Sequence, residues 1–76
     1  MWQEADNKLV KTFTFKDFNE AWAFMEQVAV IAKELDHHPR WTNEYNIVKF
    51  ELSTHSVNQV TDQDRALAQA IDNLTV

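Results

Sequence analysis

An α+β fold is expected for this chain, a two-layer sandwich of order β-β-α-β-β-α with an antiparallel sheet and the helices on one face. Three observations lead there. Stretches of alternating apolar and polar residues flank a long segment whose apolar residues recur every three or four positions. A second, shorter helical pattern closes the chain. The strand candidates come in close pairs joined by a longer crossover, which suits hairpins in one sheet covered by helices.

Trp2 to Ala5 is a short extended candidate, followed by the turn-forming pair Asp6-Asn7. In Leu9 to Phe15, Leu9, Lys11, Phe13 and Phe15 share one face, with Thr12 and Thr14 on the other. Asp17 is placed to cap a helix of about five turns, with Phe18, Ala21, Trp22, Met25, Val28, Ala29, Ala32 and Leu35 in one apolar stripe. Pro39 marks the end of that region, because the residue before a proline is pushed out of helical geometry. Tyr45 to Leu52 is the clearest strand, with Val48, Phe50 and Leu52 on one face. Ser53 to Val57 is expected to continue it or to form a short neighbouring strand. Thr61-x-x-Asp64 resembles a capping box and opens a second helix with Leu67, Ala70, Ile71 and Leu74 inward.

At 76 residues the chain has room for one domain, taken as 1–76. A chain of this size buries only about 60% of its unfolded surface, and with no cysteine it has no disulfide to compensate. That leaves metal, good packing or self-association as stabilisers. Twelve acidic residues against seven basic ones give a charge of −5, and the cations are scattered. Such a surface repels phosphate backbones, so direct nucleic-acid binding is not expected. No apolar run approaches the roughly 20 residues of a membrane span, and the first residues lack a signal-peptide pattern, so a cytoplasmic protein without membrane contact is expected. The chain has no glycine. Left-handed backbone positions should therefore fall to Asn or Asp.

All three histidines lie between positions 37 and 55. Asp36-His37-His38-Pro39 follows the long helix and Ser53-Thr54-His55 follows the clearest strand, both where a regular element gives way to loop. Exposed loop histidines without a role are one reading. A metal site is another, although adjacent His37 and His38 do not present two ligands on one helix face. Acid/base catalysis suits imidazole, whose ordinary pKa is about 6.5. Nucleophilic catalysis by Ser53 or Ser56 beside His55 lacks a nucleophile elbow.

The segment Asp36-His37-His38-Pro39-Arg40-Trp41-Thr42-Asn43-Glu44-Tyr45-Asn46-Ile47-Val48 resembles the signature of the pterin-4a-carbinolamine dehydratases. Ser53-Thr54-His55 and then Asp64 stand at the family's spacing after it. Phe13-Thr14-Phe15-Lys16-Asp17-Phe18 is similar to the family's strand-to-helix junction, and Trp2 to its early tryptophan. The resemblance covers essentially the whole chain. There are departures: the family's usual N-terminal helix is absent, Asn58-Gln59 stands where glycine is usual, and Lys33 stands where many members carry glutamate.

The resemblance implies dehydration of 4a-hydroxytetrahydropterin to quinonoid dihydropterin, in tetrahydropterin recycling, with no metal and no cofactor. It implies His37, His38 and His55 as the catalytic group, with His37 and His55 moving protons and His38 positioning the substrate with Asp36. Backbone groups of Ser53, Thr54 and Ser56 would hold the pterin edge, and Trp2 or Pro39 would give an apolar wall. Relatives assemble as dimers or dimers of dimers, and a homodimer is expected here. The family also includes a dimerisation cofactor of a homeodomain transcription factor, and pterin-binding relatives in molybdopterin metabolism. Both stand as alternatives to the enzyme.

Overall fold

The computed structural model describes residues 1–74; Thr75 and Val76, the end of the expected domain, lie outside the described residues. Its elements are β1 (Gln3–Ala5), β2 (Lys8–Thr14), α1 (Phe18–Leu35), β3 (Arg40–Glu44), β4 (Ile47–Leu52) and α2 (Asp62–Asn73). The four strands form one antiparallel sheet in the spatial order β1-β2-β4-β3. The β-β-α-β-β-α order and the helix-covered sheet are as expected.

Register explains the core. Leu9 pairs with Leu52 and Phe13 with Val48, so the apolar sets of β2 and β4 share one face. Phe50 lies at the centre, fully buried. The rings of Trp2, Phe13, Phe24 and Trp41 surround it at centroid distances of 5.4 to 6.3 Å. These separations are in the range of favourable aromatic pairs. The opposite face of β4 carries Ile47 and Lys49, both exposed, and the half-buried Glu51.

α1 begins as expected. The side chain of Asp17 accepts a hydrogen bond from the Glu20 amide at 2.9 Å. Its buried face is Ala21, Phe24, Met25, Val28 and Ala32. This differs from the expected stripe, which omitted Phe24 and included Phe18, Trp22, Ala29 and Leu35, all exposed. The apolar surface of α1 is wider than the sheet and α2 can cover. Phe18 and Trp22, one turn apart, stack on each other at 6.1 Å on the uncovered side. On α2, Leu67 and Ile71 are buried as expected, Ala68 joins them, and Ala70 and Leu74 are only half-buried.

The third and fourth strands fall earlier than their expected positions. β3 occupies Arg40–Glu44, and Tyr45-Asn46 is the hairpin turn into β4. Tyr45 takes a φ of 52°, unusual for a bulky residue, and Asn43 braces the turn by donating to the carbonyls of Tyr45 and Ile47. Ser53 to Val57 is not a strand. The chain folds back there, with one bridge between Thr54 and Gln59. The other left-handed positions among the described residues are Asp6, Asn7, Asp36 and Asn58, so the expectation of Asn or Asp holds at these four and fails at Tyr45. Asn58 takes a φ of 52° in the turn after His55.

Candidate active site

His37 owes its place to how α1 ends. Asp36 turns left-handed at φ 51°, its amide bonds to the Lys33 carbonyl, and the His37 amide reaches back to the Ala32 carbonyl at 3.1 Å. These are the two hydrogen bonds of a Schellman motif. The motif points the chain away from the helix axis, and Pro39 two residues later prevents its resumption.

The first turn of α2 meets His37 from the other side. The Thr61 amide donates to Asp64 Oδ2 at 2.9 Å, which is the carboxylate half of the expected capping box. Asp64 Oδ1 accepts from His37 Nε2 at 2.5 Å. Asp64 is fully buried, and the His37 side chain keeps only 11% of its exposure. Thr54 Oγ1 also donates to Asp64 Oδ2, at 2.8 Å. Burial pushes the Asp64 carboxyl upward. Hydrogen bonds from His37, the Thr61 amide and Thr54, helped by the charge His37 can carry, outweigh that and hold it below its ordinary value. An ionised carboxylate therefore faces His37, and the imidazole proton on that side belongs on Nε2.

His38 and His55 share a cleft of about 350 Å³ at one end of the sheet. Pro39, Ser53 and Asn58 line it with them, and so do Lys8, Arg40 and Glu51. Its volume is within the range of small-molecule sites. Glu51 and Lys8 form an ion pair at 3.5 Å across β4 and β2. His37 does not line this cleft; it stands next to it, through its bond to His38 in the chain.

Other expected site residues lie elsewhere. Trp2 packs on the helix-covered face against Phe13 and Phe50 and donates from Nε1 to Asp72 at 3.0 Å. It lines a separate cleft of about 260 Å³ with Leu9, Arg65 and Ala68. Of the two apolar residues expected at the site, Pro39 lines the histidine cleft and Trp2 does not. Ser56 is exposed in the turn after His55 and does not line the cleft. Thr54 turns its hydroxyl inward and gives its amide to the Gln59 carbonyl at 3.0 Å, so it presents no free donor to the cleft. Asp36 is exposed at the helix end, and the carboxylate that reaches His37 is Asp64. Among the described residues, no three His, Asp or Glu side chains converge as a metal-binding group.

Sequence reasoning took Asp64 as a capping residue and as an acid at the family's spacing, but not as a partner of His37. It missed Lys8, Arg40 and Glu51. Arg40 and Glu51 are paired positions of β3 and β4, so they share a face, but that pairing is visible only once β3 is placed.

A family model described as pterin 4 alpha carbinolamine dehydratase matches residues 1–74. A Prochlorococcus marinus protein, provisionally named a pterin-4-alpha-carbinolamine dehydratase, is 51% identical over 71 residues, covering 93% of this chain and 74% of its own length. A Paraburkholderia xenovorans protein of the same provisional name is 49% identical, covering 97% of this chain and 79% of its own. The crystal structure of a transcriptional coactivator/pterin dehydratase from Brucella melitensis is similar at a TM-score of 0.91 and 44% identity, over 95% of this chain and 79% of that one. A pterin dehydratase-like protein described as a RuBisCO assembly factor in the alpha-carboxysome shares the fold at a TM-score of 0.79 and 24% identity, over 97% of this chain and 86% of that one. With its histidine segments, its fold and these likenesses in agreement, the chain belongs to the pterin-4a-carbinolamine dehydratase family.

Proposed function

We propose that this chain dehydrates a 4a-hydroxytetrahydropterin to quinonoid dihydropterin and water by histidine acid/base catalysis, in tetrahydropterin recycling. The observation that carries the reading is His37 bonded to the buried carboxylate of Asp64, next to a cleft that joins His38 and His55. In the reaction the C4a–O bond breaks with a proton delivered to the leaving oxygen. The N5 proton departs as the C4a=N5 bond forms. Two imidazoles can serve as acid and base near neutral pH.

His37 and His55 are the proposed proton-transfer pair. With Nε2 given to Asp64, His37 has a fixed ring orientation and keeps Nδ1 for exchange, the logic of a histidine oriented by a carboxylate. His55 faces the cleft directly. His38, Pro39 and Ser53 are proposed to hold the pterin, with Asp36 supporting the turn that presents them. The reaction is proposed to take place in the cytoplasm, in a homodimer. No helix among the described residues is long and apolar enough to cross a membrane.

A second reading, a protein-binding module, is favoured by the exposed Phe18 and Trp22 pair on α1 and by the name of the Brucella relative. Stopped-flow measurement of dehydration on the purified protein separates the two. Loss of the 4a-hydroxypterin much faster than in buffer supports the enzyme, and a rate equal to buffer removes it.

A further inference from the structure

The two histidine segments are joined by one side chain. Thr54 Oγ1 lies 2.8 Å from Asp64 Oδ2 and 2.6 Å from Thr61 Oγ1, inside the network that holds the His37 carboxylate. The backbone of the same residue closes the loop that bears His55. The Thr54 amide donates to the Gln59 carbonyl at 3.0 Å, and its carbonyl accepts from the Val57 amide at 3.2 Å. The Asn58 amide bonds in turn to the His55 carbonyl at 3.3 Å.

We propose that Thr54 is a positioning residue of the dehydration reaction: its hydroxyl fixes the Asp64 carboxylate that orients His37, while its backbone fixes the loop that presents His55. The proposal rests on the dehydratase reading. A carboxylate has two oxygens and can rotate. The hydroxyl of Thr54 and the amide of Thr61 both engage Oδ2, which leaves Oδ1 directed at the imidazole. Without Thr54, Oδ2 keeps only the Thr61 amide and its longer contact to the Thr61 hydroxyl, 3.5 Å. The rotation of the carboxylate is then less restricted, and so is the ring it holds. Loss of one such hydrogen bond to the carboxylate that orients a reacting ring is expected to cost roughly tenfold in rate. Little change in KM is expected, because the Thr54 amide is given to Gln59 and its hydroxyl to Asp64 rather than to the cleft.

The test compares Thr54→Val, which keeps the shape and removes the hydroxyl, with Thr54→Ser, which keeps the hydroxyl. Dehydration kinetics and the nitrogen NMR signals of the His37 ring above neutral pH are read on the full chain. In Thr54→Val, kcat should fall about tenfold with KM within about twofold. Its His37 ring should change from a single Nε2–H tautomer to a mixture. Thr54→Ser should restore both. Wild-type kcat and a single tautomer in Thr54→Val, or equal impairment in Thr54→Ser, would overturn the proposal. Should Thr54→Val not fold, Thr54→Ala is read in its place with the same expectations. If the wild-type protein dehydrates no pterin, the functional reading fails by itself, and the tautomer still decides the role of Thr54: an unchanged ring in Thr54→Val rejects it.

Discussion

His37 Nε2 and Asp64 Oδ1, 27 positions apart in the chain, meet at 2.5 Å. That bond joins the end of α1 to the first turn of α2. The same carboxylate caps α2 through the Thr61 amide, so the stability of a helix terminus and the orientation of a histidine depend on one group. A substitution at Asp64 must therefore act on both.

Acid stability follows from this pair. The Asp64 carboxyl lies below its ordinary value of 3.8 in the folded protein, so the folded state holds that proton less tightly than the unfolded one. The stability it supplies is fully present above pH 3.8 and is lost as the pH falls through the lower folded value. Asp64→Asn should be less stable than wild type by about 1–3 kcal/mol at neutral pH. Denaturant unfolding as a function of pH should show that gap narrowing in acid. A gap that stays constant down to the acid transition would contradict the assignment.

Much of this architecture was legible in the residues. The N-cap at Asp17, the inward set Val48, Phe50 and Leu52, and the capping box at Thr61 all stand as read, because each depends on local spacing. β3 was not legible. Its residues, Arg40 to Glu44, include a single apolar side chain, Trp41, and its turn places Tyr45 at a positive φ that no propensity anticipates. Ser53 to Val57 was misassigned because side-chain bonds override its strand-like composition: Thr54 is drawn to Asp64, and Asn58 folds the chain back. In the site, the clustering of histidines was visible. The separation of His37 from the cleft and the displacement of Trp2 to another cleft depend on long-range packing.

His38 lines the cleft and has no role in the Asp64 network, so its effect should fall on binding. His38→Ala should raise the KM for a 4a-hydroxytetrahydropterin by roughly tenfold or more, with a smaller fall in kcat. Steady-state kinetics at varied substrate checks this. A fall in kcat alone, with KM unchanged, would assign His38 to proton transfer.

Self-association should cover what the chain leaves open. Phe18, Trp22, Tyr45 and Ile47 are exposed, and β3 is an edge strand. A chain of 76 residues without disulfides buries little surface by itself. Pairing across a two-fold axis would hide the edge or the aromatic pair. Light scattering at micromolar concentration should give the mass of two chains. Trp22→Glu or a charge on the β3 edge should return a monomer in one of the two cases and show which surface is used. A wild-type mass of one chain, with activity retained, would contradict the dimer.

Histidine acid/base catalysis is tested most directly by the dehydration rate of His37→Ala and His55→Ala beside wild type, by stopped flow with a 4a-hydroxytetrahydropterin. Each imidazole is assigned one proton transfer, and removal of a general acid or base costs on the order of a hundredfold. A fall of at least roughly that size is expected in each variant, with both still folded by circular dichroism. Wild-type turnover in both His37→Ala and His55→Ala would contradict it.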